Sequence, residues 1–197
     1  MATKTCENSS IYNSLVFCSG ETVLPGLRKH VYCIPKSQIV SWPVLPKKKD
    51  VQAMKDLVIY QGSFVLAAEA KWLRLDLSLN KGGIKYEPQG EKPSRTILNK
   101  GSFKHPYNDE DAAAFASQAM ADDLVFAVQQ RNGKWRILGN EMFETDVKVS
   151  GDSGEGTTGD VGTTIEVEVT DKYAAPFYVG TLVVEDGEID CSGEKEE

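Results

Sequence analysis

The chain has 197 residues, 41% of them hydrophobic and 26% charged, with a formal net charge of −7. That size suits one domain with extended arms, and the composition excludes wholesale disorder because it holds enough apolar surface for a core. No apolar run approaches the roughly 18 to 20 residues that span a bilayer, and a net negative chain is a poor match for a protein that grips phosphate.

The beginning, MATKTCENSSIYNSLVFCSGE, has no sustained apolar core behind basic residues and does not read as a secretory signal, so folding in a cytoplasm is expected. Residues 1–50 read as an N-terminal arm with the first strands, 51–190 as the core and 191–197 as an acidic tail. In VYCIPKSQIVSWPVLPKKKD, Pro35, Pro43 and Pro46 interrupt every long element and confine the segment to edges and extended arms. KWLRLDLSL alternates strictly, which predicts a strand with Leu73, Leu75, Leu77 and Leu79 buried and Trp72, Arg74, Asp76 and Ser78 outward. A turn at Asn80-Lys81-Gly82-Gly83 leads to a return strand at IKYEP.

NDEDAAAFASQAMADD predicts the one helix, about 109–121. Asn108 is the expected cap, Asp109, Glu110 and Asp111 favour the positive end of the helix dipole, and Phe115, Ala119 and Met120 form the packing face. At about 13 residues the helix is marginal alone and needs the sheet beneath it. DLVFAVQQRNGKWRILG reads as a hairpin: Leu124, Phe126 and Val128 alternate with Val125, Ala127 and Gln129, and Asn132-Gly133 suits a type I′ turn.

The next stretch, VKVSGDSGEGTTGDVGTTIEVEV, contains the letters G-x-G-x-x-G at Gly154 to Gly159. A dinucleotide fingerprint requires a helix after the glycines, with its N-terminus on the phosphate. TTIEVEV is instead β-branched with period two, placing Ile165, Val167 and Val169 inward and Glu166, Glu168 and Thr170 outward. Asp152, Glu155 and Asp160 would repel a pyrophosphate, and no Walker lysine follows. The spacing also misses the one-three-five oxygen ligands of an EF-hand. What remains is a long acidic connection between two strands. FYVGTLVVEDGEI ends the core with a strand, a turn at Asp186-Gly187 and a short return.

Catalytic chemistry finds no constellation. The two histidines, His30 and His105, lie far apart in sequence with no G-x-S-x-G nearby. Glu110/Asp111 and Asp122/Asp123 read as residues at the helix ends rather than an acid/base pair. Cys6, Cys18, Cys33 and Cys191 form no C-x-x-C, and a zinc site from Cys6, Cys18, His30 and Cys33 matches no usual spacing. PKKKD and KGSFKH are basic patches that read as solvated loops.

Charge is unevenly placed. Residues 1–140 carry 19 Lys/Arg against 13 Asp/Glu, whereas residues 141–197 carry 3 against 16. A solvated acidic tail accounts for part of this. The alternative is that basic and acidic surfaces draw copies together head to tail.

From GKWRILG through the acidic Gly/Ser/Thr loop to TTIEVEVTD and Ala175-Pro176-Phe177-Tyr178-Val179-Gly180, the second half resembles tail tube (major tail) proteins of tailed bacteriophages, of the kind found in phages and prophages of gut Bacteroidales. Upstream, IPKSQIVSWP and LNKGGIKYEPQGEKPSR sit where such proteins carry an arm and a β-meander. The resemblance implies a mainly β fold, an antiparallel sandwich or barrel with one flanking helix. It further implies rings, usually hexameric, that stack into a hollow tube passing DNA, with assembly in the host cytoplasm and residence in the virion tail. Partners would be the protein's own copies, other tail or connector proteins and, transiently, DNA. No membrane, cofactor, metal or catalytic residue is implied. Acidic residues facing the bore would let DNA slide. Lys47, Lys48 and Lys49, with Asp152, Glu155 and Asp160 in the glycine loop, are the candidate subunit-interface residues, expected to become ordered between neighbours. Alternatives are another virion component (connector, tail terminator or capsid decoration), or a monomeric binding module using Trp42, Trp72 and Trp135 as stacking faces.

Overall fold

In the computed structural model, which describes residues 11–193, regular structure starts with β1 (Leu27–Pro35), a 3-10 turn at Lys36–Gln38 and β2 (Ile39–Ser41). A second 3-10 turn at Met54–Val58 leads into β3 (Ile59–Tyr60) and β4 (Val65–Leu66), followed by β5 (Leu73–Asp76), β6 (Gly82–Gln89) and β7 (Thr96–His105). Next come α1 (Glu110–Ala119), β8 (Leu124–Gln130), β9 (Trp135–Leu138), β10 (Thr145–Asp152) and β11 (Gly162–Asp171). The last elements are β12 (Phe177–Tyr178), β13 (Thr181–Val184) and β14 (Gly187–Asp190). The protein is mainly β, and α1 is the one α-helix among the described residues.

The strands form a six-stranded sheet in the order β3-β12-β9-β8-β1-β5 and a four-stranded antiparallel sheet in the order β10-β11-β7-β6. Two ribbons, β13-β14 and β2-β4, complete the set, and no sheet closes into a barrel. The six-stranded sheet is the middle layer because its central strands are apolar on both sides. Leu124, Phe126 and Val128 of β8, with Val31 and Cys33 of β1, face Phe103, Val147, Ile165, Val167 and Val169 of the four-stranded sheet. On the opposite side Val125, Ala127, Tyr32 and Ile34 meet Trp135, Tyr60, Phe64, Trp72, Tyr178 and Leu182. The ribbons and intervening loops roof that second core. Burying each such side chain contributes about 1.5–3 kcal/mol.

The helix closes one end of the first core through Phe115 and Ala119, with Ala112 also buried. Its cap is Asp109, whose side chain accepts a hydrogen bond from the Ala112 N–H at 3.0 Å. The expected cap, Asn108, instead stands over Gly151, where an added Cβ would come within 2.5 Å of it. Met120 is 68% exposed and takes no part in the packing face.

Other expectations are corrected by tertiary context. β1 is not an edge or arm: it lies between β8 and β5, and Pro35 ends it rather than preventing it. KWLRLDLSL lies at the sheet edge, so Leu73 and Leu79 are exposed while Trp72, expected outward, is buried. The strand keeps its alternation: Trp72 lies on the face of Tyr32 and Ile34, and that face is covered by the second core, where Trp72 bridges Val184 of the β13-β14 ribbon. The β8-β9 hairpin forms as expected, but Gly133 alone takes a positive φ, at 88°. Gly133 donates to Gln130 O and Gln130 to Lys134 O, a type I turn closed by a glycine bulge rather than type I′. β10 and β11 pair in register from Thr145↔Val169 to Asp152↔Gly162, with Ile165, Val167 and Val169 buried as their spacing required. The last hairpin turns at Glu185-Asp186.

Candidate functional site

Both histidines converge on one residue. His30 Nδ1 lies 2.7 Å from Asp76 Oδ1, and His105 Nδ1 lies 2.8 Å from the Asp76 carbonyl oxygen. Arg74 donates to the same carboxylate through Nε at 2.7 Å. That guanidinium, with His30, holds the Asp76 carboxyl below its ordinary range. His30 belongs to the six-stranded sheet and His105 to the four-stranded one, so the cluster ties the two sheets where both end. Among the described residues no hydroxyl or thiol bonds either imidazole, and the arrangement offers no activated nucleophile. Cys33 is fully buried and its thiol is pushed up to about 12, so it stays protonated at neutral pH. No group of three or more His, Cys, Asp or Glu among the described residues is placed to hold a metal. Cys6 lies outside the described residues.

The outward face of the four-stranded sheet carries charge of both signs. Lys100 sits between Glu87 at 2.8 Å and Glu168 at 3.3 Å, and Lys148 pairs with Asp146 at 3.0 Å. A shallow groove of about 390 Å³ runs over Lys85, Lys100, Lys148, Glu166 and Glu168. This is the polar side of a sheet that buries only one face.

Of the sequence-predicted interface residues, Lys47, Lys48 and Lys49 are exposed around a turn in which Asp50 N donates to Lys47 O at 2.8 Å. Their segment is anchored by Leu45 in the second core and by the Val44↔Gln61 bridge. The acidic loop, residues 153–161, projects from the end of the four-stranded sheet, on the other side of the middle layer. The structure thus separates the basic and acidic segments and joins them by no hydrogen bond or ion pair among the described residues. Within the loop, Asp152 accepts from Gly154 N at 2.9 Å. Gly159 packs so closely that an added Cβ would meet Glu155 N. Asp160 is engaged: its carboxylate lies 3.0 Å from Lys104 Nζ and 3.4 Å from Lys81 Nζ, which lowers its pKa. Glu155 remains exposed.

Sequence reasoning missed the most consequential backbone feature, an uncovered sheet edge. Lys104 N donates to Lys81 O at 3.0 Å, which sets the phase of the β6-β7 ladder. Antiparallel pairing alternates, so Gly83, Lys85, Glu87 and Gln89 point their polar backbone groups at β7. Gly82, Ile84, Tyr86 and Pro88 point theirs outward. Pro88, which lacks an N–H, falls at one of the outward positions, where it removes no ladder bond. The opposite edge of the sheet is treated differently: Thr145 N on β10 is satisfied by Asp123 Oδ1 at 2.8 Å, and α1 packs alongside. The signal available in sequence was the proline within an otherwise strand-like GGIKYEPQ.

Two of the three tryptophans offered as stacking faces lie inside the protein. Trp72 and Trp135 are buried, and Trp42 lies edge-on to Phe64 with ring centres 5.3 Å apart. The described residues contain no helix long and apolar enough to cross a membrane. Comparison with protein-family models, curated proteins and solved structures found no match to this chain.

Proposed function

We propose that this chain is a virion structural protein, a self-assembling subunit of a phage tail tube whose rings stack around a DNA conduit. The observation that carries the reading is the bare β6 edge from Gly82 to Tyr86, a row of outward backbone groups that no strand among the described residues pairs. Natural single-chain proteins blunt such edges, and a subunit that offers one has a use for a neighbour. Three further features support it: the sequence resemblance, the separation of basic and acidic segments to opposite sides, and a strongly exposed apolar stretch. In that stretch Tyr12, Leu15, Val16 and Phe17 are each at least 71% exposed. The layered β arrangement with one flanking helix accords with a tail-tube sandwich. Loss of Trp72 and Trp135 to the interior weakens the carbohydrate-binding alternative.

Electron microscopy of the concentrated full chain across a range of salt tests the proposal. Rings or tubes of uniform diameter are expected. A strictly monomeric species at every concentration and ionic strength overturns it.

A further inference from the structure

The β13-β14 ribbon carries opposite charge at its two ends. At its base, where Cys191 N donates to Gly180 O, a cleft of about 170 Å³ is lined by Lys55, Val58, Lys134, Phe177 and Val179, with no carboxylate in its wall among the described residues. Phe177 is held between cations, with Arg136 Cζ 4.0 Å and Lys134 Nζ 5.8 Å from its ring centre. Arg136 is fixed by the carbonyls of Ala174 and Ala175, at 3.3 and 3.0 Å, and by Gln130 Oε1. Among the described residues, none of Lys55, Lys134 or Arg136 has an ion-pair partner within 4.0 Å. Asp190, at the base of the ribbon, is occupied by the N–H and hydroxyl of Ser192.

The tip is the reverse. Glu185, Asp186 and Glu188 are exposed, and no ion pair among the described residues engages them. They face Lys71 and Arg74 across a wide groove, and Arg74 is already paired to Asp76. Val183, 37% exposed, adds an apolar neighbour to these acids. Four residues of strand place tip and base about 13 Å apart on one rigid ribbon.

We infer that the acidic tip of one copy seats in the cationic, apolar cleft of the next, a head-to-tail contact between copies. The occupant is a second copy because the tip offers what the cleft lacks: carboxylates for unpaired ammonium groups, beside an apolar side chain for Phe177 and Val58. Two different patches on one chain make the contact heterologous, and a heterologous contact carries one copy on to the next, building a ring or a filament. The inference rests on the tube-subunit reading and names one surface through which its copies join.

Charge exchange tests it on the full chain. The pair K55E/K134E leaves an acidic tip and an acidic cleft; the pair E185K/D186K leaves both basic. Each variant alone should remain monomeric by light scattering under conditions where the unaltered chain assembles. Mixed one to one at low salt they should co-assemble, since tip and cleft then complement at every contact. The milder K55Q/K134Q should raise the concentration for half-assembly about tenfold, with weaker salt dependence. If the reversed variants assemble alone as the unaltered chain does, or if their mixture stays monomeric while K55Q/K134Q behaves as the unaltered chain, the contact is overturned and the tube reading stands. If the unaltered chain never assembles, the tube reading fails with it. Removing residues 194–197 should change nothing; loss of assembly would make that terminus, rather than the ribbon tip, the group that joins copies and overturn the inference.

Discussion

The two faces of the six-stranded sheet are built from the same strands and by different means. Toward the four-stranded sheet, regular strands oppose regular strands, and the core is aliphatic with a Phe103–Phe126 contact at 5.9 Å. Toward the ribbons, the cover is irregular and the filling aromatic: Phe64 touches Trp42, Trp72 and Tyr178 with ring centres 5.2–5.3 Å apart. Short strands leave gaps of uneven shape, and large planar side chains with a polar end fill them while tying loose backbone. Tyr178 shows this, because its hydroxyl accepts from Phe64 N at 3.3 Å and donates to Thr181 O at 2.8 Å. One face rests on periodic packing and the other on a few anchored rings.

The largest effect should come from the periodic face. Phe126→Ala removes a fully buried ring between two sheets that cannot collapse onto the gap, and chemical denaturation should show a loss of about 3–5 kcal/mol. A loss below half of that would mean the sheets are less tightly apposed than their shared core indicates. Gly101→Val attacks the same face by crowding, since even a Cβ there meets Leu138 at 2.6 Å and Phe103 at 2.7 Å. Overpacking should lower stability by about 1–3 kcal/mol.

On the irregular face, Tyr178→Phe keeps the ring and strands its two backbone partners, which should cost about 1–3 kcal/mol in the same assay. Trp72→Phe should cost less, under about 1.5 kcal/mol, because the buried indole N–H has no hydrogen-bond partner to lose among the described residues. If it costs as much as Phe126→Ala, the aromatic roof is as tightly packed as the sheet interface and the contrast between faces disappears.

The smallest effect is on pH dependence. Burial raises the Asp171 pKa despite hydrogen bonds from Lys172 N and Tyr173 N. A carboxyl with a raised folded pKa favours the folded state below its ordinary titration range, and that contribution is lost as pH rises through the raised value. Asp76 acts oppositely: its lowered pKa gives stability above the ordinary range that is lost as pH falls. Asp171→Asn should therefore abolish the decline on the rising side and leave the acid-side loss intact, measured by thermal melting across pH. An unchanged profile would show that Asp171 does not titrate differently in the folded chain.

The glycine loop was legible as a strand-to-strand connection because TTIEVEV alternates with period two, and the helix was legible from its acidic first turn and alanine run. β1 was not: Pro35 ends the strand, but a list of prolines reads the same whether they end strands or prevent them. Trp72 was misplaced because alternation assigns a residue to a face of the sheet and does not say that both faces are covered. Of the candidate interface residues, the sequence indicated which are exposed better than which are paired. Lys47 to Lys49 and Glu155 stand free as their sequence suggested, whereas Asp160 proved to be held by Lys81 and Lys104, residues remote in sequence.

Local order in the chain was sufficient to set the mainly β character, the helix α1 and the strand-to-strand course of the glycine loop, because those follow from side-chain period and backbone propensity over a few residues. Which strand lies in the middle, which edge is left bare, and which charges find partners were decided only in three dimensions. Those outcomes depend on contacts between segments far apart in the chain, where hydrogen-bond phase and burial are shared properties of several strands and belong to no one of them.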